Sequence, residues 1–232
     1  VFGRQKSDPV IDPVSWDRAG HFLVGDVLRP PGLARKAVRD RRAVRFPTEI
    51  KGVRYYAPSV LVTAAGGETP SYALHDATAP DVLLCALTPE ESGARYRVTD
   101  ADGAELGLIH RTPAAKRTLQ HTWWFQQAGH PDVVARYHWA RGSAKEIVGR
   151  GRERLAQGAG AAVGGVVAAL LDGSEGGDQP ARAPRPVTWR TQDETETVVL
   201  TSVPLEGVRT YLPHAPWLDR RLAFAVAVLR EA

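Results

Sequence analysis

The sequence predicts a mainly β protein: a meandering antiparallel β-barrel closed around a hydrophobic C-terminal helix, with a Gly-rich helix inserted between two of its hairpins. Two observations carry this. From residue 59 onward, short runs of alternating apolar and polar residues are separated by Gly, Pro and Asp, and a period of two marks a strand with one face in a core. The chain then closes on WLDRRLAFAVAVLREA (217–232), whose middle, residues 222–229, has no polar side chain on any face. A helix with one apolar stripe lies on a sheet, whereas one apolar all round must be surrounded by protein. Strands that curl around it achieve this and leave no exposed edge.

Residues 1–58 mix Pro, Arg and short apolar pieces with no sustained period, and between 29 and 54 they carry nine basic side chains against Asp40 and Glu49. This reads as a basic N-terminal arm or small subdomain, with the barrel domain spanning 59–232. Weak strands are expected around 59–63, 72–74 and 82–87. The clearest hairpin is 94–110: Tyr96 and Val98 alternate with Arg95, Arg97 and Thr99, the run Asp100-Ala-Asp-Gly103 turns the chain, and Leu106 and Leu108 alternate back. Gly103 supplies the positive φ that such a turn commonly needs. A second hairpin reads as 121–127 and 133–139, a third as 187–192 and 195–202, and a short strand as 208–212, for about nine strands in all.

Between the second and third hairpins the pattern breaks. Ser143-Ala-Lys-Glu146 has capping-box spacing, and a helix is expected to run to Leu171. Glycines at 149, 151, 158, 160, 164 and 165 weaken it by about 1 kcal/mol each relative to Ala, so it needs close packing, such as self-association with a second copy. Residues 173–186 are a linker by composition. Helix and linker together form an insertion at 143–186. In the closing segment, Pro216 suits a first helical turn, Asp219 the positive helix end and Arg230 the negative one; sixteen residues would make about 24 Å of helix.

The run YRVTDADGAELGLIHR (96–111) followed by the closing WLDRRLAFAVAVL resembles the tubby C-terminal-like superfamily, which groups the LURP-one-related proteins, the phospholipid scramblases and tubby. Val98, Asp100, Gly103, Gly107, Ile109 and residues 219–229 carry the resemblance, which covers roughly 59–142 and 187–232. It implies a barrel of about a dozen strands threaded by a C-terminal hydrophobic helix, and work at membranes or as an adaptor. The insertion and the basic arm lie outside the family's pattern. No calcium-binding acidic segment or paired basic phosphoinositide site aligns, so no family activity passes to particular residues.

Thirty Lys and Arg against 26 Asp and Glu leave a formal charge of +4. The lone cysteine, Cys85, sits in the apolar run 82–87, where a buried thiol is the expected reading. One cysteine permits no internal disulfide, so a reducing cytosol is the expected compartment. The first residues show no secretory signal. The longest stretch without charged or strongly polar residues, 158–171, falls short of the roughly 20 residues of a membrane span.

Catalytic motifs are lacking. The seven histidines include no His-Glu-x-x-His, and there is no Cys-x-x-Cys, P-loop or Gly-x-Ser-x-Gly elbow. His121, His130 and His138 share one hairpin, but scattered half-buried histidines are the usual case. Asp100 and Asp102 are explained by their turn. The run 158–164 superficially matches a dinucleotide loop yet follows helix-forming residues rather than a strand. Trp123, Trp124 and Phe125 beside Arg117, and Trp139 beside Arg136 and Arg141, suit base stacking, although alternation sends half of such residues into a core.

The expected function is therefore that of a non-enzymatic, cofactor-free protein, cytoplasmic or peripheral at the membrane, that meets anionic phospholipid or a protein partner. Its contacts would be Arg35, Lys36, Arg39, Arg41, Arg42 and Arg45 on the arm, with Arg111, Lys116 and Arg117 between two hairpins. A structural subunit of a larger assembly is the second reading, and nucleic acid, bound through the same arginines, a third.

Overall fold

The computed structural model describes residues 9–31, 36–112, 123–137, 186–205 and 208–232. Twelve strands form a closed antiparallel barrel: β1 Phe22–Arg29, β2 Val38–Ile50, β3 Val53–Ala65, β4 Ser71–Asp76, β5 Leu83–Glu90, β6 Arg95–Asp100, β7 Glu105–Arg111, β8 Trp123–Gln126, β9 Val133–Tyr137, β10 Val187–Thr191, β11 Val198–Leu205 and β12 Val208–Pro213. Each strand pairs with its sequence neighbour, and β1 closes on β12 through Phe22↔Tyr211 and Leu23↔Thr210. The helix α1, Arg220–Arg230, threads the barrel.

Residues 222–229 of α1 are all buried. Phe224 meets Phe22 edge-on at 4.8 Å and Phe46 at 6.4 Å, while Ala223, Ala225 and Ala227 keep the rest of the helix slender enough for the surrounding wall. Truncating a buried Phe of this kind costs about 3–5 kcal/mol. The helix is shorter than expected, with 11 residues and a length of about 16 Å. Pro216 lies in a turn closed by Leu218 N–H to the Ala215 carbonyl, and Asp219 is the N-cap, accepting from Arg221 N–H at 2.8 Å.

The separate basic arm is overturned. Residues 22–50 supply β1 and β2, and the expected boundary at 58 falls inside β3. The alternation was hidden for two physical reasons. Bulges between Gly25 and Val27, Val27 and Arg29, and Val44 and Arg45 reset the pleat. Residues 55–61 of β3 are buried on both faces; the preceding segment 9–21 adds Val14 and Trp16 to the core and bonds Val14 N–H to the Pro58 carbonyl.

The hairpin at 94–110 is present as β6 and β7, but its inward residues on β7 are Gly107 and Ile109 rather than Leu106 and Leu108. A register shift between Val98 and Thr99 makes the difference. A Cβ on Gly107 would lie 2.2 Å from the Gln126 carbonyl oxygen and 2.9 Å from Leu222 Cδ2, so the absence of a side chain there lets α1 approach the wall. The second and third hairpins are β8–β9 and β10–β11. The expected helix at 143–171 and its linker lie outside the described residues apart from Pro186. Among the described residues, no helix is long and apolar enough to cross a membrane.

Candidate functional site: the basic pole of the barrel

Because every strand pairs antiparallel with the next, the connections fall alternately at two poles. At one pole lie 51–52, 77–82, 101–104, 127–132, 192–197 and the segment 214–219 that leads into α1. At the other lie the described connections 66–70 and 91–94, residues 30–31, 36–37 and 112, and the C-terminal end of α1.

The pole where α1 begins is acidic. Its turns and their flanks carry Asp76, Asp81, Asp100, Asp102, Glu105, Asp132, Asp193, Glu194, Glu196 and Asp219, against Lys51, Arg54, Arg220 and Arg221. Four of the aspartates build the turns that hold them. Asp76 accepts from Thr78 N–H at 2.7 Å, and Asp100 from Asp102 and Ala104 N–H at 3.0 and 2.9 Å. Asp193 accepts from Glu196 N–H at 3.1 Å and from the Thr191 and Thr195 hydroxyls, while Asp219 caps α1. Hydrogen bonds from Thr191 and Thr195 hold the Asp193 carboxyl below its ordinary pKa. These charges follow from turn chemistry, since a carboxylate that accepts backbone N–H groups is what folds an Asx turn.

The opposite pole is basic on balance, with Lys36, Arg39, Arg41, Arg95, Arg111 and Arg230 against Glu68, Glu90, Glu91 and Glu231, and four of the residues expected to meet an anion, Lys36, Arg39, Arg41 and Arg111, stand there. Lys36 and Arg41 are exposed, and Arg39, 68% exposed, pairs with Asp26 at 2.9 Å. Lys36 precedes β2, and Arg39 and Arg41 stand on the part of β2 before Ala43, which pairs with β1 alone, because the β2–β3 register begins at Ala43↔Leu61. Arg111 ends β7 exposed, its guanidinium 5.7 Å from the Trp123 ring centroid, a cation–π distance. Among the described residues, no carboxylate lies within ion-pair distance of Lys36, Arg41 or Arg111. Arg35, Lys116 and Arg117 lie outside the described residues.

Two of the expected contacts are corrected. Arg45 is fully buried and cannot reach an external anion. Bulges leave carbonyls without ladder partners, and buried carbonyls must be satisfied. The Arg45 guanidinium does this, reaching the Gly25, Tyr56 and Arg41 carbonyls at 3.0, 3.4 and 2.5 Å and Asp40 at 3.5 Å. Arg42 is half-buried and donates to the Val228 carbonyl in the last turn of α1 at 3.2 Å, where a cation is favoured by the negative helix end.

The remaining titratable groups are structural. Cys85 is buried and contacts the Arg221 carbonyl at 4.0 Å; burial pushes its thiol up to about 12, so it is not a nucleophile at neutral pH. His130 stacks on Trp217 at 4.1 Å, and His110 on Trp124 at 3.6 Å. Burial lowers the His110 pKa, a bond to Gln126 opposing it. His121 and His138 lie outside the described residues, and among those described no three His, Cys, Asp or Glu side chains could share a metal ion.

Sequence reasoning missed the polarity itself. Part of its signal was present: the turns at 77–82, 101–104, 127–132 and 192–197 all carry Asp and fall at the pole where α1 begins. Compared with family models, with curated proteins and with solved structures, the chain finds no match.

Proposed function

We propose that this protein is a non-enzymatic β-barrel that binds anionic phospholipid surfaces through its basic pole, with Lys36, Arg39, Arg41 and Arg111 as the contacting side chains. One observation carries the reading: Lys36, Arg41 and Arg111 face solvent at one pole without a carboxylate partner among the described residues. Exposed cations left unsatisfied in this way are available to phosphate. Each basic side chain near an anionic membrane adds about 1 kcal/mol, so the three without a carboxylate partner together supply about 3 kcal/mol, or roughly a hundredfold in partitioning, and Arg39, already paired with Asp26, adds less.

The test is flotation of the whole protein with phosphatidylcholine vesicles, with and without phosphatidylserine, at low and moderate salt. Binding that requires phosphatidylserine, weakens with salt and falls in the Lys36→Ser, Arg39→Ser, Arg41→Ser, Arg111→Ser variant is expected. Equal binding to neutral vesicles, or none to either, would overturn the reading and direct attention to a protein assembly.

A further inference from the structure

We infer, resting on that phospholipid reading, that the barrel meets the anionic surface end-on, with the α1 axis along the membrane normal and the C-terminal end of the helix toward the lipid. Three features of the charge distribution lead there. The first is the opposition of the two poles, basic where α1 ends and acidic where it begins.

The second is their separation. Strands of six to eight residues, tilted as barrel strands are, place the poles about 20 Å apart. Charges are screened over about 8 Å at physiological salt. End-on, the acidic turns stand beyond the reach of the membrane's field. Lying on its side, the barrel would bring those carboxylates within one screening length of an anionic surface, and repulsion would offset the attraction of the arginines.

The third feature is the wall. Its exposed arginines are already matched: Arg97 pairs with Glu90 at 2.8 Å and also with Glu105, and Arg136 pairs with Glu196 at 2.6 Å. A side-on pose therefore gains little. The negative end of the helix dipole, which would oppose an end-on pose, is met by Arg42 at the Val228 carbonyl and by Arg230 in the last turn. The poses thus differ in sign at the far pole, and an uneven charge distribution in a field selects orientation as well as affinity.

The experiment uses the inertness of Cys85, buried and poorly ionised. A single thiol is added to the full chain at Ala37→Cys on the basic pole or Asp102→Cys on the acidic pole, both exposed, and labelled with a fluorophore. Energy transfer to an acceptor carried on lipid headgroups is read on phosphatidylcholine–phosphatidylserine vesicles, alongside flotation of the same labelled protein and a thermal melt to confirm folding. Transfer several-fold stronger from position 37 than from position 102 is expected. Flotation with equal transfer from both positions, or with the order reversed, would overturn the end-on pose while leaving the phospholipid reading intact. Failure of either folded variant to float would overturn both.

Discussion

The two poles of the barrel differ in what their charges do. At the acidic pole the carboxylates are part of the fold: Asp76, Asp100, Asp193 and Asp219 each hold backbone N–H groups in a turn or helix cap. At the basic pole the charges divide. Arg45 and Arg42 are consumed by carbonyls of the bulged strands and of α1, whereas Lys36, Arg41 and Arg111 are left to solvent. Charge density alone therefore separates structure from function poorly. The useful question at each charged side chain is whether the fold needs it, and the two poles answer it differently.

The comparison breaks most severely at Arg45, the basic-pole residue that behaves like the acidic pole's carboxylates. Arg45→Met keeps bulk but orphans the Gly25, Tyr56 and Arg41 carbonyls, and a loss of about 3–5 kcal/mol is expected in urea unfolding. A loss under 1 kcal/mol would place Arg45 back among the dispensable surface charges. Gly107→Ala, near the acidic pole, drives a methyl into the Gln126 carbonyl and Leu222. An overpacking cost of about 3 kcal/mol is expected, seen as a lowered urea midpoint at an unchanged m-value.

Smaller substitutions sharpen the contrast within one turn. Asp193→Ala removes the acceptor of Glu196 N–H and two threonine hydroxyls and should lower the urea midpoint, whereas Glu194→Gln next to it should leave the midpoint unchanged. Equal effects would mean that the acidic turns are not organised by particular carboxylates.

The pH dependence is the subtlest expected effect. The Asp219 carboxyl is raised by burial, but hydrogen bonds from the Arg221 side chain and N–H, with its charge, outweigh this and hold it below its ordinary pKa. Asp193 is likewise depressed. Both contribute stability present above the unfolded carboxylate pKa of about 3.9, lost as pH falls through their folded values. Burial and then Arg54 lower His21, and burial lowers His110 although its ring N–H donates to Gln126 Oε1. A depressed histidine pKa means the unfolded chain takes up the proton first, so stability also declines as pH falls below 6.5. Unfolding midpoints recorded from pH 8 to 3 should thus fall gently below 6.5 and steeply below about 4; a midpoint that rises on acidification would contradict both assignments.

Much of the architecture was legible because it rests on local pattern. The Asp100–Gly103 turn, the alternation along β6 and the three hairpins follow from periods and turn residues that need no partner to be read. The β1 and β2 strands were not, because three bulges shift the pleat. The candidate site was legible only as a list of basic residues. Alternation identifies faces along one strand, but the burial of Arg45 depends on carbonyls freed 20 and 11 positions away in the chain.

By itself, the sequence determined that a wholly apolar helix must be enclosed and that hairpins must supply the enclosure, since burial of apolar surface and turn geometry are local demands written residue by residue. Only the tertiary structure decided which cations were available. Closing twelve antiparallel strands sorted the connections into two poles, and the packing of β1, β2, β3 and α1 brought carbonyls to Arg45 and Arg42 while leaving Lys36, Arg41 and Arg111 in water.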